Sequence, residues 1–372
     1  MKNINLFICL SLLILLLTNT NVSAQNDSQQ YTFKQGVIAT HWTDHIPIKS
    51  YASPDFFNQK DVKWIANQGL DHIQIRLSGS MVSDENNQMN LPRLSALSSA
   101  ISWAQKEKLG VIINLRNFPK YKIDTSLSQG AQDALKLQKQ AEFWSELSKY
   151  FSKHGAILGF VLHGRVAGLT DNITYLNAYN TKMLKEIRKS SPKRKVYFAT
   201  LDISKINELS VPDNDKYIGI TYDYSGAEYV FAFQHSIHHF PESFPIISFP
   251  TILPDLNTLL EKDHVTLKYS KVELNEGYFS HAFSQARAHV DTIAKNMDIY
   301  IPYWGYYVDA PVDPQTVKDK KSIYSFAKAF DNAAKGQNIG WAIYDIKTGM
   351  AIQNEDGTPT PLLKGLNLKI EK

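Results

Sequence analysis

The chain has 372 residues, of which 43% are apolar, 12% aromatic and 20% charged, and its formal net charge is +4. That composition excludes a disordered chain, a coiled coil and a collagen-like fibre. So small a net charge also argues against a nucleic-acid binder held by phosphate contacts.

Residues 1–24 read as a secretory signal peptide. Lys2 supplies the positive start, Leu6 to Leu17 is an almost unbroken apolar run, and Val22-Ser23-Ala24 forms a small-residue cleavage site before Gln25. The run is short for a membrane span and no later segment is longer, so stable membrane insertion is not expected. The expected location is periplasmic or secreted. Cys9 is the single cysteine and lies inside this segment, where it reads as part of the apolar core rather than as a lipidation site. Residues 25–372 are therefore expected to hold no disulfide and no thiolate metal site, and to fold as a self-sufficient monomer.

Short apolar runs alternate with helical patterns. In chain order, strands are predicted at Gly36–Trp42, His72–Leu77, Val111–Leu115, Ile157–Leu162, Lys195–Leu201, Tyr217–Tyr224, Ile299–Tyr307 and Ile339–Asp345. Helices are predicted at Asp61–Asn67, Leu91–Leu109, Ala134–Phe151, Tyr175–Lys189, Phe279–Met297 and Ile323–Ala334, with a short last one at Pro361–Leu368. Continuous apolar strands joined by helical crossovers mean a parallel sheet covered on both faces. Eight such units predict a single (β/α)8 TIM barrel. The aromatic, irregular stretch 225–278 reads as a long loop insertion after strand six, lying over the active face. A doubly wound open sheet is the runner-up, but its GxGxxG fingerprint is absent. No Gly-, Pro- or Ser-rich linker divides the chain.

Several motifs carry a family resemblance. Gly36-Val-Ile-Ala-Thr-His-Trp42, Ile65-Ala-Asn-Gln-Gly-Leu-Asp-His-Ile73, Trp103-Ala104 with Val111-Ile-Ile-Asn-Leu115, and Gly340-Trp-Ala342 followed by Asp345 resemble glycoside hydrolase family 5, the cellulase-like retaining glycosidases. The resemblance spans about 33–369 and implies the barrel and carbohydrate as ligand. The family's catalytic pattern does not follow it. An Asn-Glu-Pro triplet belongs after strand four, and here Leu162-His163-Gly164-Arg165 puts Gly164 at the Glu. A nucleophilic Glu belongs after strand seven, and here Pro302-Tyr303-Trp304-Gly305 puts Tyr303 there. The strand-two Arg matches Gln74, with Arg76 two residues on. The pattern after strand three becomes Asn114-Leu115-Arg116-Asn117, and the strand-eight aromatic matches Tyr344. Retaining hydrolysis needs two carboxyl groups about 5 Å apart, and glycine supplies none.

Cations and phenols stand in their place. Arg76, Arg116 and Arg165 predict an anionic ligand, because guanidinium binds carboxylate or sulfate bidentately. Asn114, Gln74, Trp42, Trp304 and Tyr344 complete the expected substrate-binding set. An arginine on a uronate carboxylate stabilises the intermediate left by loss of the C5 proton. His163, Tyr303 and Tyr222 are the expected proton-transfer groups. The expected reaction is β-elimination, by a lyase or a dehydratase, on an acidic oligo- or polysaccharide. The alternatives are a non-catalytic glycan-binding relative and, third, an atypical hydrolase. The bland roles are an internal ion pair for Arg76, a solvated loop for Arg165, a satisfied core for His163, and sugar platforms for the two tyrosines. Neither cofactor nor metal is expected. His235, His238 and His239 lack a companion carboxylate motif. Asn354 to Gly357 reads as a tight turn rather than a calcium loop, and Lys193-Arg194-Lys195 as a solvated turn on the stability face.

Overall fold

The computed structural model describes residues 33–39, 57–164, 172–200, 203–222, 231–232, 247–253, 272–306, 320–346, 351–354 and 356–368. The elements run β1 (Gln35–Ala39), α1 (Gln59–Asn67), β2 (His72–Ser78), α2 (Gly79–Val82), α3 (Leu91–Lys106), β3 (Gly110–Asn117), α4 (Gln129–Phe151), β4 (Ile157–Val161), α5 (Ile173–Ser190) and β5 (Lys195–Phe198). A 3-10 turn at Ile203–Glu208 leads to β6 (Ile218–Thr221), then β7 (Thr251–Ile252), β8 (Glu273–Leu274), α6 (Glu276–Asp291), β9 (Asp298–Trp304), α7 (Lys320–Gly336), β10 (Ile339–Ile343) and α8 (Pro361–Lys364). Eight strands close a parallel barrel in the order β1-β10-β9-β6-β5-β4-β3-β2. β7 and β8 form a separate antiparallel pair.

The helices start where short polar side chains satisfy their free N–H groups. Asn58 and Asp61 form a capping box on α1, and Asn90, Asn172 and Asn275 accept from the first turns of α3, α5 and α6. Each helix buries its apolar stripe on the outside of the barrel.

The core has two shells. Val37, Ile73, Ile113, Phe160 and Ile301 face outward under the helices. Ile38, Ile112, Val161, Tyr197, Tyr300 and Ala342 fill the barrel interior. Two buried faces explain why the strands read as near-continuous apolar runs.

The lower end, at the strand N-termini, is plugged. His72 Nδ1 lies 2.5 Å from Asp71 Oδ1, and its Nε2 lies 2.9 Å from the Tyr300 hydroxyl. Asp71 also accepts from the backbone N–H groups of Lys34 and Gln35, tying β1 to β2. Glycines make room for these rings. A Cβ on Gly36 would stand 2.2 Å from His72 Nε2, and one on Gly219 would stand 2.7 Å from the Tyr197 ring. Burial pushes the Tyr197 and Tyr300 phenols well above their usual range, so both stay neutral donors.

The expectation of a solvated turn at Lys193-Arg194-Lys195 is corrected on this lower face for its last two residues. Arg194 is not in a solvated turn: its guanidinium donates to the carbonyls of Phe151, Ser152, His154 and Ile157, closing the C-terminus of α4. Burial lowers its pKa to about 10. Lys195 pairs with Asp298 at 2.6 Å. The predicted turn at Asn354 holds, with Gly357 N–H donating to Asn354 O at 2.9 Å and Gly357 at φ 80°.

The described parts of the insertion pack at the upper end, where α6 and α7 begin. Phe231 sits 4.9 Å from Phe326 and 5.1 Å from Tyr306. Phe249 N–H donates to Ser322 Oγ at 3.0 Å.

Candidate functional site

In this fold the chemistry belongs at the C-terminal ends of the strands. β2 alternates His72, Gln74, Arg76 and Ser78 with Ile73, Ile75 and Leu77. A strand points successive side chains to opposite faces, so the polar set lines the interior. Gln74, fully buried, donates from Nε2 to the Pro302 carbonyl at 2.7 Å, across the barrel on β9. Arg76 lies one step higher, its guanidinium carbon 5.1 Å from the centroid of the Tyr344 ring. That arrangement is a cation–π contact. Among the described residues Arg76 makes no ion pair. The internal salt bridge weighed for it is therefore not what holds it.

The register of β2 and β3 sets Asn114 beside Arg76. Asn114 is 2% exposed, and Gly164 lies against it: a Cβ on Gly164 would stand 2.6 Å from Asn114 Oδ1. Arg116 is exposed at the end of β3.

β9 departs from simple alternation. Its pairing with β10 shifts register between Trp341 and Ile343, opposite Ile301 and Trp304. A bulge lets a strand carry a proline and reverses which residues face inward. Tyr303 accordingly packs with the interior cluster, alongside Tyr344. Trp304 turns outward, stacked on Phe330 at 3.7 Å and 13°, and edge-on to Trp341 at 5.2 Å. This corrects the expectation that Trp304 lines the cleft: it is core between β9 and α7. Tyr222 is corrected likewise. It follows Ile218 and Ile220 on the outward face of β6, and its ring meets Phe283 of α6 at 6.5 Å. Thr221 takes the inward position, its hydroxyl donating to the Phe198 carbonyl.

His163 is 6% exposed and stacks on Phe118 at 6.3 Å and 28°, with Phe118 itself packed on Phe143 and Tyr179. The histidine is thus held at the rim against α4 and α5. Trp42, Arg165 and the three insertion histidines lie outside the described residues. The structure therefore brings Gln74, Arg76, Asn114, Tyr303 and Tyr344 together, with Arg116 and His163 at the rim, and leaves out Tyr222 and Trp304. Among the described residues that follow the C-terminal ends of the eight barrel strands within two positions, Asp345 is the only carboxylate, and it has no exposed surface. The Asn114–Gly164 contact and the Gln74 crossing were missed in sequence. The polar alternation of β2 was the available signal for the second.

Cellulase (glycosyl hydrolase family 5) matches residues 27–279, well over half of the chain. The chain belongs to glycosyl hydrolase family 5. The match ends before β9 and β10, the strands that carry Tyr303 and Tyr344. Endoglucanase C of Acetivibrio thermocellus and Endoglucanase C307 of a Clostridium species are each 23% identical over 218 residues. That stretch covers 57% of this chain and 62% of each relative, so the chain spans less than two thirds of the curated relatives it matches. Among solved structures, the cellulose synthase subunit Z of Clostridioides difficile superposes with a TM-score of 0.64 at 20% identity, over 90% of this chain and all of that one. Thermotoga maritima Cel5A in complex with cellobiose gives 0.62 at 15% identity, over 90% and 97%. At these identities the likeness shows the barrel fold alone. The described residues contain no helix long and apolar enough to cross a membrane.

Proposed function

We propose that this family 5 barrel engages an acidic oligo- or polysaccharide at the upper end of the strands, with Arg76 taking the carboxylate or sulfate. The observation that carries the reading is Arg76 itself, a cation braced on the face of Tyr344 without an acidic partner among the described residues. A guanidinium so placed offers two parallel N–H groups to an anion, and a neutral glucan gains little from them. Arg116 adds a second cation on the open side. Gly164 and Tyr303, standing in sequence where the family's two catalytic Glu residues belong, speak against ordinary retaining hydrolysis. Residues 1–24 are read as a secretory leader and 25–372 as one barrel acting as a monomer outside the cytoplasm.

A second reading, β-elimination, draws support from Tyr303, which the β9 bulge turns toward the interior. With Arg76 neutralising the uronate carboxylate, Tyr303 would remove the C5 proton and the C4 substituent would leave with a proton from His163 or water. The product carries a C4–C5 double bond conjugated to the carboxylate. A rise in near-ultraviolet absorbance on acidic oligosaccharide, lost in Tyr303→Phe, would favour the lyase or dehydratase. Tight binding without that product leaves a binder.

The reading is tested by calorimetry with cellohexaose and with an oligogalacturonide of equal length. The acidic chain should bind more tightly, and Arg76→Gln should cost it roughly tenfold to a hundredfold while changing the neutral chain little. Equal affinity for the two would overturn it.

A further inference from the structure

Gln74 crosses the barrel in an apolar layer. Its neighbours in register are Ile38 on β1 and Ile112 on β3, both fully buried, and its own side chain has no exposed surface. Its one side-chain hydrogen bond among the described residues runs from Nε2 to the Pro302 carbonyl on β9, 2.7 Å away. Its Oε1 is buried and unbonded. An orphaned acceptor costs free energy, so what this amide contributes is its donor.

The acceptor sits where the β9 ladder is interrupted. Pro302 brings no N–H to a ladder. The described pairing of β9 with β6 ends at Tyr300, whose carbonyl accepts from the Tyr222 N–H. The pairing with β10 passes from Ile301 to Trp304, so Pro302 and Tyr303 form the bulge. Pro302 is buried, and a buried carbonyl needs a donor. Gln74 supplies it from the opposite wall. One layer below, His72 Nε2 lies 2.9 Å from the Tyr300 hydroxyl. The same two strands are thus tied twice across the lumen, two residues apart on each.

The Pro302 carbonyl belongs to the peptide unit that joins Pro302 to Tyr303. That unit is planar, so holding its oxygen fixes the plane from which the Tyr303 side chain departs. We infer that Gln74 is a positioning residue for Tyr303. Through the Pro302 carbonyl it holds the β9 bulge in the phase that turns Tyr303 inward and Trp304 outward. The inference deepens the elimination reading, in which Tyr303 takes the proton, and rests on it for activity alone; the geometry is tested without any sugar.

The test uses protein labelled with 3-fluorotyrosine, in which Tyr303→Phe identifies the Tyr303 fluorine resonance. Gln74→Met keeps the length and loses the donor. Gln74→Asn keeps the amide, one methylene short of Pro302. Gln74→Glu keeps the reach, and at about pH 5 its buried carboxyl is neutral and donates in place of the amide. The Tyr303 resonance should move in Gln74→Met and Gln74→Asn and return to the wild-type position in Gln74→Glu at that pH. The resonance of Tyr324, exposed on α7 and identified in the same way, should stay in place throughout. The melting temperature of Gln74→Met should change little, because a bond and an orphaned acceptor are removed together. A Tyr303 resonance unmoved in folded Gln74→Met or Gln74→Asn, or displaced in Gln74→Glu as far as in the other two, overturns the inference. A lowered melting temperature with an unmoved resonance makes Gln74 a structural tie and overturns it too. Where acidic oligosaccharide yields the ultraviolet product, kcat should fall about tenfold to a hundredfold in Gln74→Met with KM little changed, and recover in Gln74→Glu at that pH. An unaltered kcat counts against the inference as an unmoved resonance does. Absence of the product in the wild type sinks the elimination reading alone, and the resonances still decide the positioning.

Discussion

Gly164 shows how one missing side chain shapes the cleft. Its neighbour Asn114 is short, buried and set in a strand, so it has little room to yield. Gly164→Ala should therefore destabilise the protein by about 1–3 kcal/mol through overpacking. Gly130, in the first turn of α4, meets nothing within 4 Å where a Cβ would stand. Gly130→Ala should instead stabilise by about 0.5 kcal/mol, because alanine is the better helix former. Urea unfolding of the two variants side by side checks both signs. At this scale the sequence was an uneven guide. The alternation of His72, Gln74, Arg76 and Ser78 announced a polar interior, and Arg76, Asn114 and Tyr344 meet there as their strand positions imply. Tyr222 and Trp304 were misjudged because facing is set by strand phase. One residue of phase separates Tyr222 from the inward Thr221, and the bulge at Pro302 reverses the phase of Trp304. Neither event leaves a mark in apolar spacing.

The elements are joined by buried polar ties that apolar patterning could not reveal. Asp331 of α7 is fully buried and accepts from Gln35 Nε2 of β1 at 2.8 Å, Lys335 Nζ at 2.8 Å and the Asn367 backbone N–H at 3.1 Å. It thereby fastens the first strand and the chain after α8 to one helix. Asp331→Ala should cost about 1–3 kcal/mol, since the buried Gln35 amide loses its acceptor, whereas Lys335 is exposed and keeps the Asn367 carbonyl. Asp331→Asn should cost less, keeping an acceptor for Gln35. Thermal melting ranks the two. His154, just past the C-terminus of α4, carries a pH dependence. Burial, and then the nearby Arg194 charge, lower its pKa below the ordinary 6.5. The unfolded chain therefore takes up a proton at His154 before the folded chain does. Stability is undiminished above pH 6.5 and falls as pH drops below it, until the folded state also protonates. Urea midpoints measured from pH 7.5 downward should show this decline, and His154→Gln should flatten it. Unchanged slopes in that variant would assign the acid sensitivity to other groups.

The whole barrel was legible because each barrel strand is a short apolar run and most crossovers carry a helix with an asparagine cap or an apolar stripe, the 3-10 turn between β5 and β6 being the exception. Closure by eight parallel strands then follows from covering both faces. The chemistry was less legible, since it depends on which cations are left without partners once the chain has folded. On the lower face they are engaged: Arg188 with Asp215 at 2.6 Å, Lys195 with Asp298 at 2.6 Å, and Arg287 with Asp291 at 3.5 Å and the Met297 carbonyl at 2.7 Å. On the upper face Arg76 rests on an aromatic ring instead. With a net charge of only +4, attraction of an anionic chain must be local rather than a field of the whole molecule. Affinity for an oligogalacturonide should therefore fall as salt rises from about 20 to 300 mM, the Debye length shrinking from about 20 to 6 Å. Arg76→Gln should flatten that dependence, while Lys193→Gln, at the exposed lower turn, should leave it as in the wild type. A salt slope unaltered by Arg76→Gln would move the anion contact off the strand ends.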